Sequence, residues 1–183
     1  MAYFNSRDVA AMAALSALWG VLGSTFAPIV FRMTGLPLLC DMIGFAVLVL
    51  AVWWVRKLGA ATVVGIVATF INFMFNPGGA HFLGFTAASA AFDGIALGIG
   101  YGKSFKGHLS TAASMLPTSI ASAALAGAII AAFFMPAPAL ARWGGALGWV
   151  GLHAAGGAIG GLVGVGLVAA LTARGVRPME VKG

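Results

Sequence analysis

Two of the four acidic residues in this 183-residue chain, Asp41 and Asp93, lie inside long apolar runs. A charged side chain at the centre of a membrane-spanning helix costs about 2.5–3.5 kcal/mol even on lenient insertion scales, so such residues mark a candidate site. Thr86, Ser89 and Asp93 fall at i, i+3 and i+7, on one polar helix face, and Thr69, Asn72 and Asn76 share a face in the preceding run. Trp149 and His153 stand one turn apart near the start of the last run. Carboxylates, amides, hydroxyls, an indole and an imidazole are hydrogen-bonding chemistry. A few such groups among apolar and aromatic walls make a pocket for a small molecule. Each also has a purely architectural use: Asp93 and the asparagines in bonds between helices, Asp41 in an ion pair with Arg32, His153 in packing.

The same residues make a poor enzyme. The chain has no HExxH, GxSxG, P-loop or dinucleotide-binding fingerprint, and one histidine near a helix end makes no metal site. His81 and Asp41 both fall toward one side, but no nucleophile or metal set joins them. We expect no catalytic residues, no metal and no cofactor. The single cysteine, Cys40, excludes an internal disulfide and CxxC chemistry.

The elements that must position these residues follow from composition. Apolar residues make up 61% of the chain and charged residues 8%, with a mean hydropathy of +1.04. A soluble domain is about a quarter charged, so lipid is the expected solvent. Charge, Pro and Gly divide the sequence into six apolar runs: 9–31, 36–55, 60–75, 81–101, 109–135 and 144–173. They are too long, and too apolar on all sides, for the alternating strands of a β-barrel. The fold class is therefore all-α: a polytopic membrane protein of six transmembrane helices in one domain over residues 1–183, with a short polar tail at 174–183. The third run is short, and Pro117 is a candidate kink in the fifth. The first run exceeds the 7–15 apolar residues usual in a signal peptide and is read as a retained span.

If the N-terminus is cytoplasmic, the inner side holds Arg7, Arg56, Lys57, Lys103, Lys106, Arg174, Arg177 and Lys182, and the outer side only Arg32 and Arg142. That bias places both termini inside. Scattered cations at helix ends also account for the net charge of +6 without nucleic acid.

Two further patterns concern helix contacts. Ala10, Ala13, Ala14, Ala17 and Gly20 share one face of the first run, a surface that lets another helix approach closely in lipid. It serves either internal packing or a partner. Gly156, Gly160 and Gly164 form a doubled GxxxG with Gly157 and Gly161 beside it, and packing within the bundle is its expected use.

Local strings add a resemblance. Val55-Arg56-Lys57-Leu58-Gly59-Ala60-Ala61 is similar to the pattern "IRKPGAA", with Leu58 in place of proline. Asn76-Pro77-Gly78-Gly79 is similar to "NPSG", and Asp93 stands where that pattern also has an acid, Glu rather than Asp. With six helices, both ends inside and an alanine stripe on the first helix, the chain resembles the substrate-binding S components of energy-coupling factor (ECF) vitamin importers, in the branch associated with thiamin or its hydroxymethylpyrimidine precursor. The strings cover about residues 35–100, and the rest resembles the family only in topology. The resemblance implies a multi-pass protein of the prokaryotic cytoplasmic membrane. It implies capture of a vitamin from outside, then docking through Ala10, Ala13, Ala14 and Ala17 on a membrane coupling subunit with two ATPase subunits. The expected binding residues are Asn72, Asn76, Asp41, Asp93, Ser89, Thr86, Trp149 and His153, in the outer half between the second, third, fourth and sixth helices. The acidic intramembrane residues, set against only two outer cations, favour a neutral or cationic ring compound, thiamin-like or a pyrimidine, over an anion. A small intramembrane enzyme and a ligand-free structural subunit are the alternatives.

Overall fold

The six apolar runs become six long helices, and each boundary falls where the backbone chemistry changes. A computed structural model describes residues 3–178; Lys182, counted above among the inner cations, and the end of the polar tail lie outside the described residues. The long helices are α1 (Ser6–Thr34), α2 (Leu38–Val55), α3 (Ala60–Phe75), α4 (Phe82–Ile99), α6 (His108–Phe133) and α8 (Gly145–Ala173). Two short helices that the sequence did not announce, α5 (Tyr101–Ser104) and α7 (Ala137–Ala141), sit in the connections. Every regular element among the described residues is a helix.

Helix α1 starts at a capping box. The Asn5 side chain accepts from the Asp8 N–H at 2.8 Å, and the Asp8 carboxylate accepts from the Asn5 N–H at 3.1 Å. It ends at Gly35, whose left-handed φ of 73° lets its N–H bond the Phe31 carbonyl. Lys57, in the α2–α3 turn, pairs with Asp8 at 2.7 Å and donates to the Tyr3 carbonyl at 2.9 Å. These two bonds hold the start of the chain and the α2–α3 turn at one end of the bundle.

Glycine decides how the helices pack. On α8, Gly156 and Gly160 face Asp41 and Phe45 of α2, and Gly164 faces Val49. A methyl group at Gly164 would lie 2.7 Å from the Val49 Cβ. Gly157 and Gly161 face α6, where a side chain would run into Ala123 and Ser119. α8 is thus clamped between α2 and α6, and the doubled GxxxG is spent inside the bundle, as expected. Across the molecule α3 packs between α1 and α4: Gly20 of α1 lies against Ile71, and Gly65 against Ser89. Gly20 therefore leaves the alanine stripe, because α3 covers it, while Ala10, Ala13, Ala14 and Ala17 all stay exposed.

Five helices, α1, α2, α4, α6 and α8, are long and apolar enough to cross a membrane. α3 is a shorter apolar helix of 16 residues.

Candidate functional site

Asp41, in the first turn of α2, meets His153 at one end of the α2–α8 contact. The Asp41 Oδ1 and His153 Nδ1 are 2.9 Å apart, and the two side chains are 0% and 1% exposed. Two glycines make this meeting possible. Gly156 clears space for the Asp41 side chain, and at Gly127 of α6 any side chain would run into His153. The expected alternative for Asp41, an ion pair with Arg32, is not formed; its partner is the imidazole. The other nitrogen, His153 Nε2, is buried without a partner.

The His153 ring packs in an aromatic nest, 5.4 Å from the Trp149 ring and 5.7 Å from Phe85, with Phe31 6.2 Å beyond Trp149. These rings border a cavity of about 160 Å³ at the end of the bundle opposite the Asp8–Lys57 pair. Buried Phe85, Ile130, Trp149 and His153 form its floor, and exposed Phe31 and Arg32 form its rim. Cys40, Asn76, His81 and Met135 contribute from α2, the α3–α4 turn and the end of α6. The Trp149 Nε1–H, like His153 Nε2, is buried and unpartnered. His81 stands just before α4; burial, and secondarily the neighbouring His153, lowers its pKa below the usual 6.5.

The expected site residues divide. Asn76, Trp149 and His153 line the cavity, and Asp41 stands behind His153. Asn72 lies beneath the Asn76–Gly79 turn, fully buried with neither amide atom partnered, its Nδ2 close under Gly79. Thr86 bonds Thr69 at 2.6 Å and so ties α4 to α3. Ser89 bonds the Phe85 carbonyl of its own helix. Asp93 lies about 16 Å down α4 from the cavity end. Its Oδ2 accepts from both the N–H and the hydroxyl of Thr62 at 2.7 Å. Those donors are in the first turn of α3, which has no side-chain cap of its own, so Asp93 caps α3 from a neighbouring helix.

No family model, curated protein or solved structure matches this chain.

The largest omission of the sequence reading is α1. Gly23, Ala27, Pro28, Phe31 and Arg32 make one whole side of the cavity, which was expected between the second, third, fourth and sixth runs. The signal was present as the four-residue spacing of Gly23, Ala27 and Phe31, two small residues below one ring. Ile130 and Met135 of the fifth run were also absent from the expected wall.

Proposed function

We propose that this chain is the substrate-binding membrane subunit of an ECF-type vitamin importer, taking a small ring-containing vitamin or precursor at the cavity beside Trp149 and His153. It is not read as an enzyme. The observation that carries the proposal is the cavity itself: aromatic walls, with a buried indole N–H and a buried imidazole nitrogen left without partners. Buried polar atoms in folded proteins are nearly always satisfied, and a ligand with both a hydrogen-bond acceptor and a donor would satisfy these two. An engineered cavity of about 150 Å³ holds benzene, so a volume of about 160 Å³ suits one six-membered ring, such as a pyrimidine.

The wider assignment rests on the resemblance of the 55–61 and 76–79 strings. In this reading α3 is the sixth span. Its length of about 24 Å is short of a ~30 Å hydrocarbon core, a mismatch met by local thinning. The cation-rich end, with Arg7, Arg56 and Lys57, faces the cytoplasm, and the cavity opens outward. The exposed face of Ala10, Ala13, Ala14 and Ala17 is the surface for the coupling subunit, which the two ATPases serve. Mass spectrometry of small molecules released from the purified protein tests the core of the proposal. A stoichiometric ring compound that is lost from Trp149→Ala and His153→Ala proteins is expected. Ligand-free protein that also fails to bind thiamin and its pyrimidine precursor would favour a structural subunit.

A further inference from the structure

The sequence alone favoured a neutral or cationic ligand because two carboxylates lie within the apolar runs. In the fold neither reaches the cavity: Asp41 is turned to His153 and Asp93 to Thr62 at the far end of α4. No acidic residue lines the cavity, and its one fixed charge is the Arg32 guanidinium at the rim. Arg32 has no hydrogen-bond or ion-pair partner among the described residues. A basic residue in the last turn of a helix complements the helix dipole, but that role does not require it to border a cavity. The polar groups near it include one obligate donor, the unpartnered Trp149 N–H, beside the Asn76 amide and the His81 ring, which can each donate or accept. A cavity with a cationic rim and an unpartnered indole N–H matches a ligand that carries acceptors and negative charge, and a guanidinium fork matches a planar anionic group.

We propose that the ligand is a single planar ring bearing one anionic substituent, with the ring among Phe85, Trp149 and His153 and the anion at Arg32. This rests on the solute-binding reading above and specifies its substrate class. The volume admits one ring and a small group such as a carboxylate, and the cationic rim draws anions toward the mouth.

The test uses the full-length protein in nanodiscs and three probes matched in ring and size: pyrimidine-5-carboxylate, pyrimidine-5-carboxamide and pyrimidin-5-ylmethylammonium. Titration calorimetry is expected to show the carboxylate binding at least tenfold more tightly than the other two. Arg32→Gln should abolish that preference and Arg32→Lys should keep part of it. Arg32 is exposed, so neither variant disturbs the core. Equal or tighter binding of the amide or the ammonium, or a carboxylate preference that survives Arg32→Gln, overturns the charge assignment and leaves the solute-binding reading standing. Binding of none of the three also counts against the charge assignment. If the purified protein in addition releases no small molecule, the solute-binding reading falls with it.

Discussion

Asp41 and His153 form a buried pair through one contact, Asp41 Oδ1 to His153 Nδ1. Removing one partner of such a pair typically costs about 3–5 kcal/mol, because the survivor is left buried and unpaired. Asp41→Ala and His153→Ala should each lower the melting temperature in detergent, and the double variant should lose much less than the two losses added together. Strict additivity would mean that the 2.9 Å contact contributes nothing to stability. Asp93 makes a contrasting prediction. Asp93→Ala should cost about 1–2 kcal/mol, the size of a lost helix cap, and leave ligand affinity unchanged within about twofold. An affinity loss as large as that of His153→Ala would show that Asp93 acts on the site. From sequence, both carboxylates were conspicuous for the same reason, the cost of a charge in an apolar run. Their different fates were not legible, because they depend on which helix packs opposite, and a 3.6-residue period does not report that.

At the scale of elements, helix positions were readable because charge, Pro and Gly end apolar runs sharply; residues 60–75 were placed without error. Helix neighbours were less readable. The glycine row on α8 announced close packing but not its two partners. Substitutions should separate the two kinds of glycine on this helix. Gly157→Ala drives a methyl group into Ala123 and the Ser119 carbonyl and is expected to destabilise by about 1–3 kcal/mol. Gly166→Ala meets open space and should be neutral or slightly stabilising, since alanine is the better helix former by about 1 kcal/mol. Thermal unfolding of the two variants side by side checks the difference. A tolerated Gly157→Ala would place α6 and α8 further apart than described.

The whole molecule poses questions of orientation and partnership. Gly78 and Gly102 are exposed, have no positive φ and lie at opposite ends of the bundle, so cysteines there are readily accommodated in a Cys40→Ser background. Membrane-impermeant thiol reagents should label position 78 from outside and position 102 only after permeabilisation; the reverse pattern would invert the topology. Ala14→Trp should abolish co-purification with membrane coupling and ATPase subunits while ligand binding persists. Co-purification undiminished in a folded variant would remove the docking role from this face. The all-helical class, with helices long and apolar enough to cross a membrane, was legible from composition because lipid leaves so little freedom. The site was half legible: its polar residues stood out, but the wall from α1 was hidden among residues that any apolar helix contains.

That wall has a consequence for how the protein can change. α1 carries cavity residues from Gly23 to Arg32 and, nearer its start, the exposed alanines. Within the cavity region itself the hydrogen-bond ladder lacks one rung, since Pro28 has no N–H to offer the Ser24 carbonyl. A single element with one weak joint therefore carries both the cavity wall and the exposed alanines. A displacement of the Phe31–Arg32 end of α1 reaches the joint before it reaches the alanines. A helix that is straight and stiff at that point would pass the whole displacement on to them. Pro28 thus lets the Phe31–Arg32 end of the cavity wall shift with less displacement at the alanine face.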